Sequence, residues 1–190
     1  MNKAVVLAGV GGQGAILTSK VLVKGLMSAG YDVKMSEIHG MSQRGGSVST
    51  QVIFGDKVNS PVIGKGAADV LVAFEKMEAV RYAEFLKPDG AAVINDYEIA
   101  SSTIAAGLCE YPEGCVEAMQ KNFKCHVLDA ASIAAELGNT KCMNIVLFGS
   151  MVKPLGLEAI DWESVIKDTV PEKLLELNLK AYRAGKEAVD

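Results

Sequence analysis

The 190-residue sequence has no long hydrophobic run and no excess of basic residues. A membrane-spanning helix needs about 18 or more consecutive apolar residues, and no stretch of this chain approaches that length. The first apolar run, from Ala4 to Ala8, ends at a glycine and is too short for the core of a secretory signal. The net charge of -4 argues against a broad nucleic-acid-binding face. We therefore expect a soluble cytoplasmic protein that binds neither membranes nor nucleic acid.

Cysteine is scarce, and its spacing is unlike that of a metal site. The four cysteines, Cys109, Cys115, Cys125 and Cys142, include no C-x-x-C pair. Zinc and iron–sulfur sites usually show such close pairs, so we expect no metal site held by this chain alone. Free, mostly buried thiols in a reducing cytosol are the favoured interpretation. The sequence also lacks the H-E-x-x-H motif and the lysine-containing phosphate loop.

The apolar periodicity predicts an α/β protein with one domain spanning residues 1–190. Half of the residues are apolar, enough for a full core. Short apolar runs predict strands at 3–8, 31–38, 69–74, 91–95 and 125–128, and an alternating run predicts a half-buried strand at 47–54. Helical spacing and helix-ending residues predict helices at 15–29, 76–86, 130–137, 161–168 and 171–188, with a helical or buried segment from 144. We expect a mostly parallel, Rossmann-like sheet with helices on both faces and an irregular β-hairpin insertion.

Two parts of this prediction depend on weaker signals. Residues 88–90, Pro-Asp-Gly, predict a turn before the strand at 91–95. Residues 98–122 show no clear periodicity, and we interpret them as an insertion that carries Cys109 and Cys115.

A glycine-rich turn follows the first strand and opens the first helix. Its candidate cofactor-binding residues are Gly9, Gly11, Gly12, Gln13 and Gly14. This is the context of a dinucleotide-binding turn, in which free N–H groups at a helix N-terminus face an anion. The G-x-G-G-Q-G pattern differs from typical dinucleotide sites. Two interpretations stay open, namely contact with a phosphate or cofactor and packing of strand against helix alone.

A second polar, glycine-rich segment follows the second strand, where ligands bind in open α/β sheets. Its candidate binding residues are Glu37, His39, Gln43, Arg44, Gly45 and Gly46. Glu37 stands about where an acidic ribose ligand would be, and the fork of Arg44 suits a phosphate or carboxylate. The alternative is a polar hairpin loop on the surface.

Three further polar residues lie at or in predicted strands. Glu75 follows the strand at 69–74 and is a candidate binding residue in the same crevice, or an acid in the first turn of a helix, where the helix dipole favours it. Asn95 has the same two interpretations. His126 lies in an apolar strand and is interpreted as a structural histidine.

These motifs, taken together, resemble the gamma domain of 2-oxoacid:ferredoxin oxidoreductases. The resemblance rests on residues 9–14, 37–47, 60–61, 68–75 and 176–182 with Gly185, and covers nearly the whole chain. A free-standing chain with Glu-Ile-His-Gly-Met-Ser-Gln-Arg-Gly-Gly is more similar to the beta subunits of indolepyruvate oxidoreductases than to the gamma subunits of the pyruvate enzymes.

The resemblance implies a subunit that is inactive alone. Enzymes of this pyruvate/ketoisovalerate oxidoreductase type decarboxylate a 2-oxoacid on thiamine diphosphate with Mg, pass electrons through [4Fe-4S] clusters to ferredoxin, and transfer the acyl group to coenzyme A. The resemblance places the thiamine and the clusters on a larger partner subunit. The glycine turn would then contact coenzyme A, contact thiamine diphosphate, or only pack. Two alternatives are a stand-alone oxidoreductase that binds NAD or flavin, and a non-catalytic scaffold subunit.

Overall fold

The computed structural model describes residues 2–39 and 45–189. In this part of the chain a six-stranded sheet is formed by β1 (Lys3–Val10), β2 (Asp32–His39), β3 (Ser47–Gly55), β4 (Ala68–Ala73), β5 (Leu86–Asn95) and β6 (Lys124–Leu128). The helices are α1 (Ala15–Ser28), α2 (Lys76–Tyr82), α3 (Ser102–Ala105), α4 (Cys115–Asn122), α5 (Ala130–Glu136), α6 (Met143–Leu155), α7 (Trp162–Lys167) and α8 (Leu175–Glu187). Short 3-10 turns lie at Ala83–Phe85, Thr140–Cys142 and Glu172–Leu174. The predicted α/β class is confirmed.

The strand order is β2-β3-β1-β4-β5-β6. β1, β4, β5 and β6 are parallel neighbours, whereas β3 runs antiparallel to both β1 and β2. The β2–β3 hairpin therefore folds back so that β3 lies between β1 and β2. β2 has the same direction as β1, but β3 separates them, so they are about 10 Å apart at the usual strand spacing of about 4.8 Å.

Helices cover both faces of the sheet, as the sequence predicted. On one face α1, α5, α6, α7 and α8 pack on alternate strand residues such as Val5, Leu7 and Val93. On the other face α2 and α4 pack on residues such as Leu71 and Ile94. This alternation follows from the strand period of two, which sends successive side chains to opposite faces.

Helix α6 is the central helix of the first face. It has ten buried residues along its thirteen, which is expected of a helix that is apolar on all sides. It approaches α8 so closely that a Cβ added at Gly185 would lie 1.9 Å from the carbonyl oxygen of Val146. A Cβ at Gly149 would lie 2.2 Å from the carbonyl oxygen of Tyr182. Glycine at both positions lets the two helices touch backbone to backbone.

The prediction that β3 is half-buried was wrong. β3 lies inside the sheet, and its polar residues are buried as well as its apolar ones, because the segment after it folds over the polar side. Gln51 is 5% exposed, and its Oε1 accepts a hydrogen bond of 2.7 Å from the backbone N–H of Ile63. The alternation of apolar and polar residues therefore distinguishes the two faces of β3, but it does not show whether either face is exposed to water.

Two other predictions also needed correction. Residues 88–90 do not form a separate turn but lie within β5, where the register with β4 shifts between Ala68 and Val70. Residues 98–122 are not wholly an insertion, because they end in α4, which covers the second face of the sheet between β5 and β6. α4 has only eight residues and buries two of them, Met119 and Cys115, so its apolar pattern is short and weak in the sequence.

Candidate functional site

The glycine turn, residues 9–14, connects β1 to α1. Gly12 and Gly14 have φ angles of 106° and 85°, in the left-handed region that favours glycine. A Cβ at Gly14 would also lie 2.6 Å from Nδ2 of Asn144 on α6, which donates a bond to the Gly14 carbonyl oxygen at 3.3 Å. Among the described residues, none lies within 4 Å of a Cβ added at Gly12. Within this part of the chain, the turn is thus packed against α6 at Gly14 and has no such neighbour at Gly12.

The side chain of Gln13 stabilises the turn through two hydrogen bonds. Its Oε1 accepts a bond of 2.7 Å from the N–H of Val10, and its Nε2 donates one of 2.8 Å to the carbonyl oxygen of Phe74. That oxygen also accepts a bond of 3.0 Å from Nδ2 of Asn95, whose Oδ1 accepts from the N–H of Ala130 at 2.9 Å. Asn95 is fully buried. The two amide side chains therefore bind the ends of β1, β4 and β5 to one another and to α5.

The two segments that the sequence singled out meet in space. The N–H of Gly11 donates to the carbonyl oxygen of Gly46 at 2.9 Å, and the N–H of Gly45 donates to the carbonyl oxygen of Gly11 at 3.2 Å. These bonds extend the β1–β3 ladder past the strand ends. Gln43, Arg44 and the side chain of His39 lie outside the described residues.

Two cavities flank the glycine turn, and both are lined by residues 10–14. The smaller one, of about 300 Å³, lies between the turn and the β2–β3 hairpin and includes Glu37 and Thr50. The larger one, of about 690 Å³, lies beyond the carboxyl ends of the parallel strands and includes Tyr97 and Lys141. Ligands bind outside the carboxyl ends of strands in open α/β sheets, so the turn occupies the expected place.

Backbone donors are available at this turn. Within residues 2–39 and 45–189, the N–H groups of Gly12, Gly14 and Ala15 have no protein acceptor. Ala15 begins α1, where the first N–H groups of a helix attract an anion. The turn can therefore donate hydrogen bonds to a phosphate or carboxylate.

Glu75 caps α2 and is fully buried. Its carboxylate accepts from the N–H of Glu78 at 3.0 Å, from the N–H of Ile99 at 3.3 Å and from the hydroxyl of Tyr111. Burial, and then the hydrogen bond to Glu75 and the charge of that carboxylate, raise the pKa of the Tyr111 hydroxyl. The acid that the sequence placed in the crevice thus bonds to α2 and to the segment after β5.

Glu78 is a buried acid that the sequence reasoning missed. It is 2% exposed, and its carboxylate accepts from the Ser47 hydroxyl at 2.5 Å and from Nε of Arg81 at 3.1 Å. Burial raises the pKa of its carboxyl, while Ser47 and Arg81 lower it. Because Ser47 begins β3, Glu78 fixes the hairpin beside the glycine turn. The only indication of this buried acid in the sequence was its position three residues after Glu75, on the same side of α2.

His126 lies half-buried in β6, and burial is the main cause that lowers the pKa of its imidazole. All four cysteines are free thiols. In the described part of the chain, no group of three or more His, Cys, Asp or Glu side chains could hold a metal ion. No helix among these residues is long and apolar enough to cross a membrane.

Comparison with known proteins identifies the family of this chain. The model of the pyruvate ferredoxin/flavodoxin oxidoreductase family matches residues 4–188. Indolepyruvate oxidoreductase subunit IorB of Archaeoglobus fulgidus is 38% identical, over 97% of this chain and 94% of that protein. The subunit of the same name from Pyrococcus horikoshii is also 38% identical over the same shares.

Solved structures share the fold. The gamma subunit of a keto/oxoacid ferredoxin oxidoreductase from Geobacter sulfurreducens superimposes with a TM-score of 0.73, at 24% identity and over 98% of both chains. A 2-oxoglutarate:ferredoxin oxidoreductase from Magnetococcus marinus, solved with 2-oxoglutarate, coenzyme A and succinyl-CoA bound, gives 0.74 at 21% identity. It matches over 99% of this chain and 31% of its own. The chain therefore belongs to the pyruvate ferredoxin/flavodoxin oxidoreductase family, as a gamma-type subunit of a 2-oxoacid:ferredoxin oxidoreductase.

Proposed function

We propose that this subunit serves an indolepyruvate-type, aryl-accepting enzyme and that its glycine turn helps to bind coenzyme A. We infer the substrate class from the match, over nearly the full length of both chains, to indolepyruvate oxidoreductase subunits from two archaea. The thiamine diphosphate, Mg and [4Fe-4S] clusters belong to a larger partner subunit, which passes electrons to ferredoxin. Four free thiols suit the reducing cytoplasm in which we expect the complex to work.

The turn supports the coenzyme A proposal chemically. It has unpaired N–H donors at the start of a helix, and coenzyme A carries a pyrophosphate and a 3′-phosphate. Arg44 directly precedes Gly45 and Gly46 in the chain, and both of these glycines are hydrogen-bonded to Gly11 of the turn. A guanidinium there would add a charged, two-pronged contact to a phosphate. A related 2-oxoglutarate:ferredoxin oxidoreductase was solved with coenzyme A bound, which supports coenzyme A as a ligand of the assembled enzyme.

A dinucleotide is the second candidate, because Glu37 lines the same cavity as the turn. In a dinucleotide site the acidic residue ends the strand next to the first one. Here β3 separates β2 from β1, so Glu37 stands one strand further away than a ribose ligand requires. Retention of NAD or flavin by the isolated chain would favour this candidate over coenzyme A.

The substrate proposal is tested by co-expressing the chain with its larger partner and assaying aryl and aliphatic 2-oxoacids. We expect coenzyme A-dependent reduction of ferredoxin or a viologen dye, faster with indolepyruvate or phenylpyruvate than with pyruvate, and no activity from either subunit alone. Faster turnover of an aliphatic 2-oxoacid would contradict the proposed substrate class.

The coenzyme A proposal is tested in the same assembled enzyme with Arg44→Ala. Loss of a charged contact of about 1.5–3 kcal/mol predicts that the KM for coenzyme A rises roughly 10- to 100-fold. Arg183→Ala is the matched control, because Arg183 is an exposed arginine on α8 paired with Glu163. An unchanged KM and turnover in Arg44→Ala would reject the proposal.

A further inference from the structure

We propose that the outer side of α1 and the free edge of β2 form one docking surface for the larger subunit, which adds an extended segment to β2 and presents a carboxylate to Lys20. This inference rests on the proposed function, in which the chain assembles with a larger subunit. The α1–β2 surface is defined by six exposed or half-buried residues, Ile16, Lys20, Val23, Met27, Tyr31 and Met35.

The outward line of α1 is mostly apolar. Positions i, i+4, i+7 and i+11 of a helix share one side, and on α1 they are Ile16, Lys20, Val23 and Met27. Met27 is 63% exposed. The same spacing on α8 gives four exposed charged residues, Glu176, Lys180, Arg183 and Glu187. A helix face that stays in water is expected to be charged or polar, as that of α8 is, so the line on α1 indicates a surface that a partner covers.

The apolar line of α1 continues onto β2. Val33 and Met35 pair with Phe54 and Val52 of β3, which belong to the core beneath α1. Met35 therefore faces the α1 side of the sheet, where it remains 38% exposed. Tyr31 packs edge-on against Phe54 and is exposed to a similar extent. Four of the nine exposed large apolar side chains in the described part of the chain lie in the α1–β2 surface, which makes it one patch rather than scattered residues.

The edge of β2 determines the form of the partner. β2 is the last strand in the sheet order, so no described strand bonds to its outer N–H and C=O groups. It contains no proline, and its register with β3 is continuous from Asp32 to His39, without the bulge that protects many edges. Eight residues extend about 26 Å, which accommodates a partner strand of the usual five or six residues. An extended segment that adds to the sheet would satisfy these backbone groups.

Lys20 determines the charge of the partner. The neighbouring lysines are paired, since Lys24 lies 3.9 Å from Asp168 and Lys34 lies 2.6 Å from Asp32. Lys20 is exposed and has no carboxylate partner among the described residues. A second copy that docked through the same surface would bring another Lys20, and the six residues that define the surface include no acid. A different chain with a carboxylate at this place complements the surface better.

Binding of the purified larger subunit, measured by biolayer interferometry, tests these side chains. Lys20→Glu should weaken the affinity about tenfold or more, whereas Lys180→Glu, at the corresponding place on α8, should change it less than twofold. Met27→Gln should weaken the affinity about fivefold, whereas Leu108→Gln, at an even more exposed apolar residue outside the surface, should leave it unchanged. All four substitutions replace exposed side chains, so the Tm of each variant should match that of the wild type.

Hydrogen exchange tests the added strand. Peptides that cover residues 31–38 should exchange at least tenfold more slowly in the assembled enzyme than in the isolated chain, and peptides from α8 should be unchanged. Carbodiimide coupling joins an amine to a carboxylate that it contacts. In the assembled enzyme it should link Lys20, but not Lys180, to an acidic residue of the larger subunit.

Wild-type affinity in Lys20→Glu and Met27→Gln would overturn the inference, as would unchanged exchange of residues 31–38 on assembly. Protection of β2 in the isolated chain, together with a dimer in sedimentation analysis, would also overturn it, because a second copy would then cover the edge. If the assembled enzyme prefers an aliphatic 2-oxoacid and Arg44→Ala leaves the KM for coenzyme A unchanged, the proposed function fails and the docking surface stands. If the two subunits do not bind each other, both fail.

Discussion

Gln13→Ala should destabilise the protein although Gln13 lies in a surface turn. The side chain makes two hydrogen bonds, with the N–H of Val10 and the carbonyl oxygen of Phe74. Each is worth about 1 kcal/mol net, and the N–H left without an acceptor adds a desolvation cost because Val10 is only 7% exposed. The Phe74 oxygen loses less, since Asn95 still donates to it.

We therefore expect Gln13→Ala to lower the free energy of unfolding by about 2–3 kcal/mol. For a chain of this size that lowers Tm by about 5–10 °C. Urea denaturation followed by circular dichroism measures the change, with Gln120→Ala as the control because Gln120 is exposed on α4. That control should stay within about 0.5 kcal/mol of the wild type.

Gln13→Glu separates the two bonds. A carboxylate can still accept from Val10, but at pH 7 it has no proton to donate to the Phe74 oxygen and repels it. This variant should be at least as destabilised as Gln13→Ala at neutral pH, and should recover as the pH falls and the carboxyl becomes protonated. Equal denaturation midpoints for Gln13→Ala and Gln120→Ala would refute the reasoning and leave Gln13 free to act on a ligand alone.

Three other predictions concern packing and buried acids. Gly185→Ala should cost about 3 kcal/mol in thermal denaturation, because its Cβ would lie 1.9 Å from a carbonyl oxygen of α6, whereas Gly64→Ala has open space and should cost nothing measurable. The pKa of the Glu78 carboxyl is raised by burial, so the stability that it contributes is present below its ordinary pKa and is lost as the pH rises above it. Glu78→Gln should therefore gain stability relative to the wild type between pH 4 and pH 7, and a difference that is constant with pH would contradict this. Tyr111→Phe removes a hydroxyl that bonds to the Glu75 carboxylate, and should cost about 1.5–3 kcal/mol and speed hydrogen exchange in the segment after β5, which peptide-resolved mass spectrometry measures.

Much of the fold was readable from local patterns. The helices predicted at 15–29 and 161–168 were confirmed as α1 and α7, and the helical or buried segment predicted from 144 is the buried helix α6. Each depends on residues a few positions apart, so the sequence contains the whole signal. The segments that failed, at β3, at residues 88–90 and before α4, depend on what packs over them. A strand cannot show which distant segment covers its polar side.

The candidate site divides in the same way. The two glycine-rich segments were visible as motifs, and the structure confirms that Gly11 is hydrogen-bonded to Gly45 and Gly46. The binding roles of Gly9, Gly12, Gly14, Glu37 and the other candidates stay predictions. No local pattern indicated that Gln13 is hydrogen-bonded to Phe74 at the end of β4, or that the buried Glu78 accepts a hydrogen bond from Ser47. Both contacts join residues more than thirty positions apart.

By itself, then, the sequence determined the α/β class, the strand and helix periods, the glycine turn at a helix N-terminus and the resemblance to a 2-oxoacid oxidoreductase family. The tertiary structure alone decided that β3 lies between β1 and β2, that two cavities flank one glycine turn, and that the buried amides and acids hold this arrangement together. The physical reason is that periodicity and turn chemistry act over a few residues. Strand order, burial of polar groups and the shape of a cavity arise only when distant segments pack.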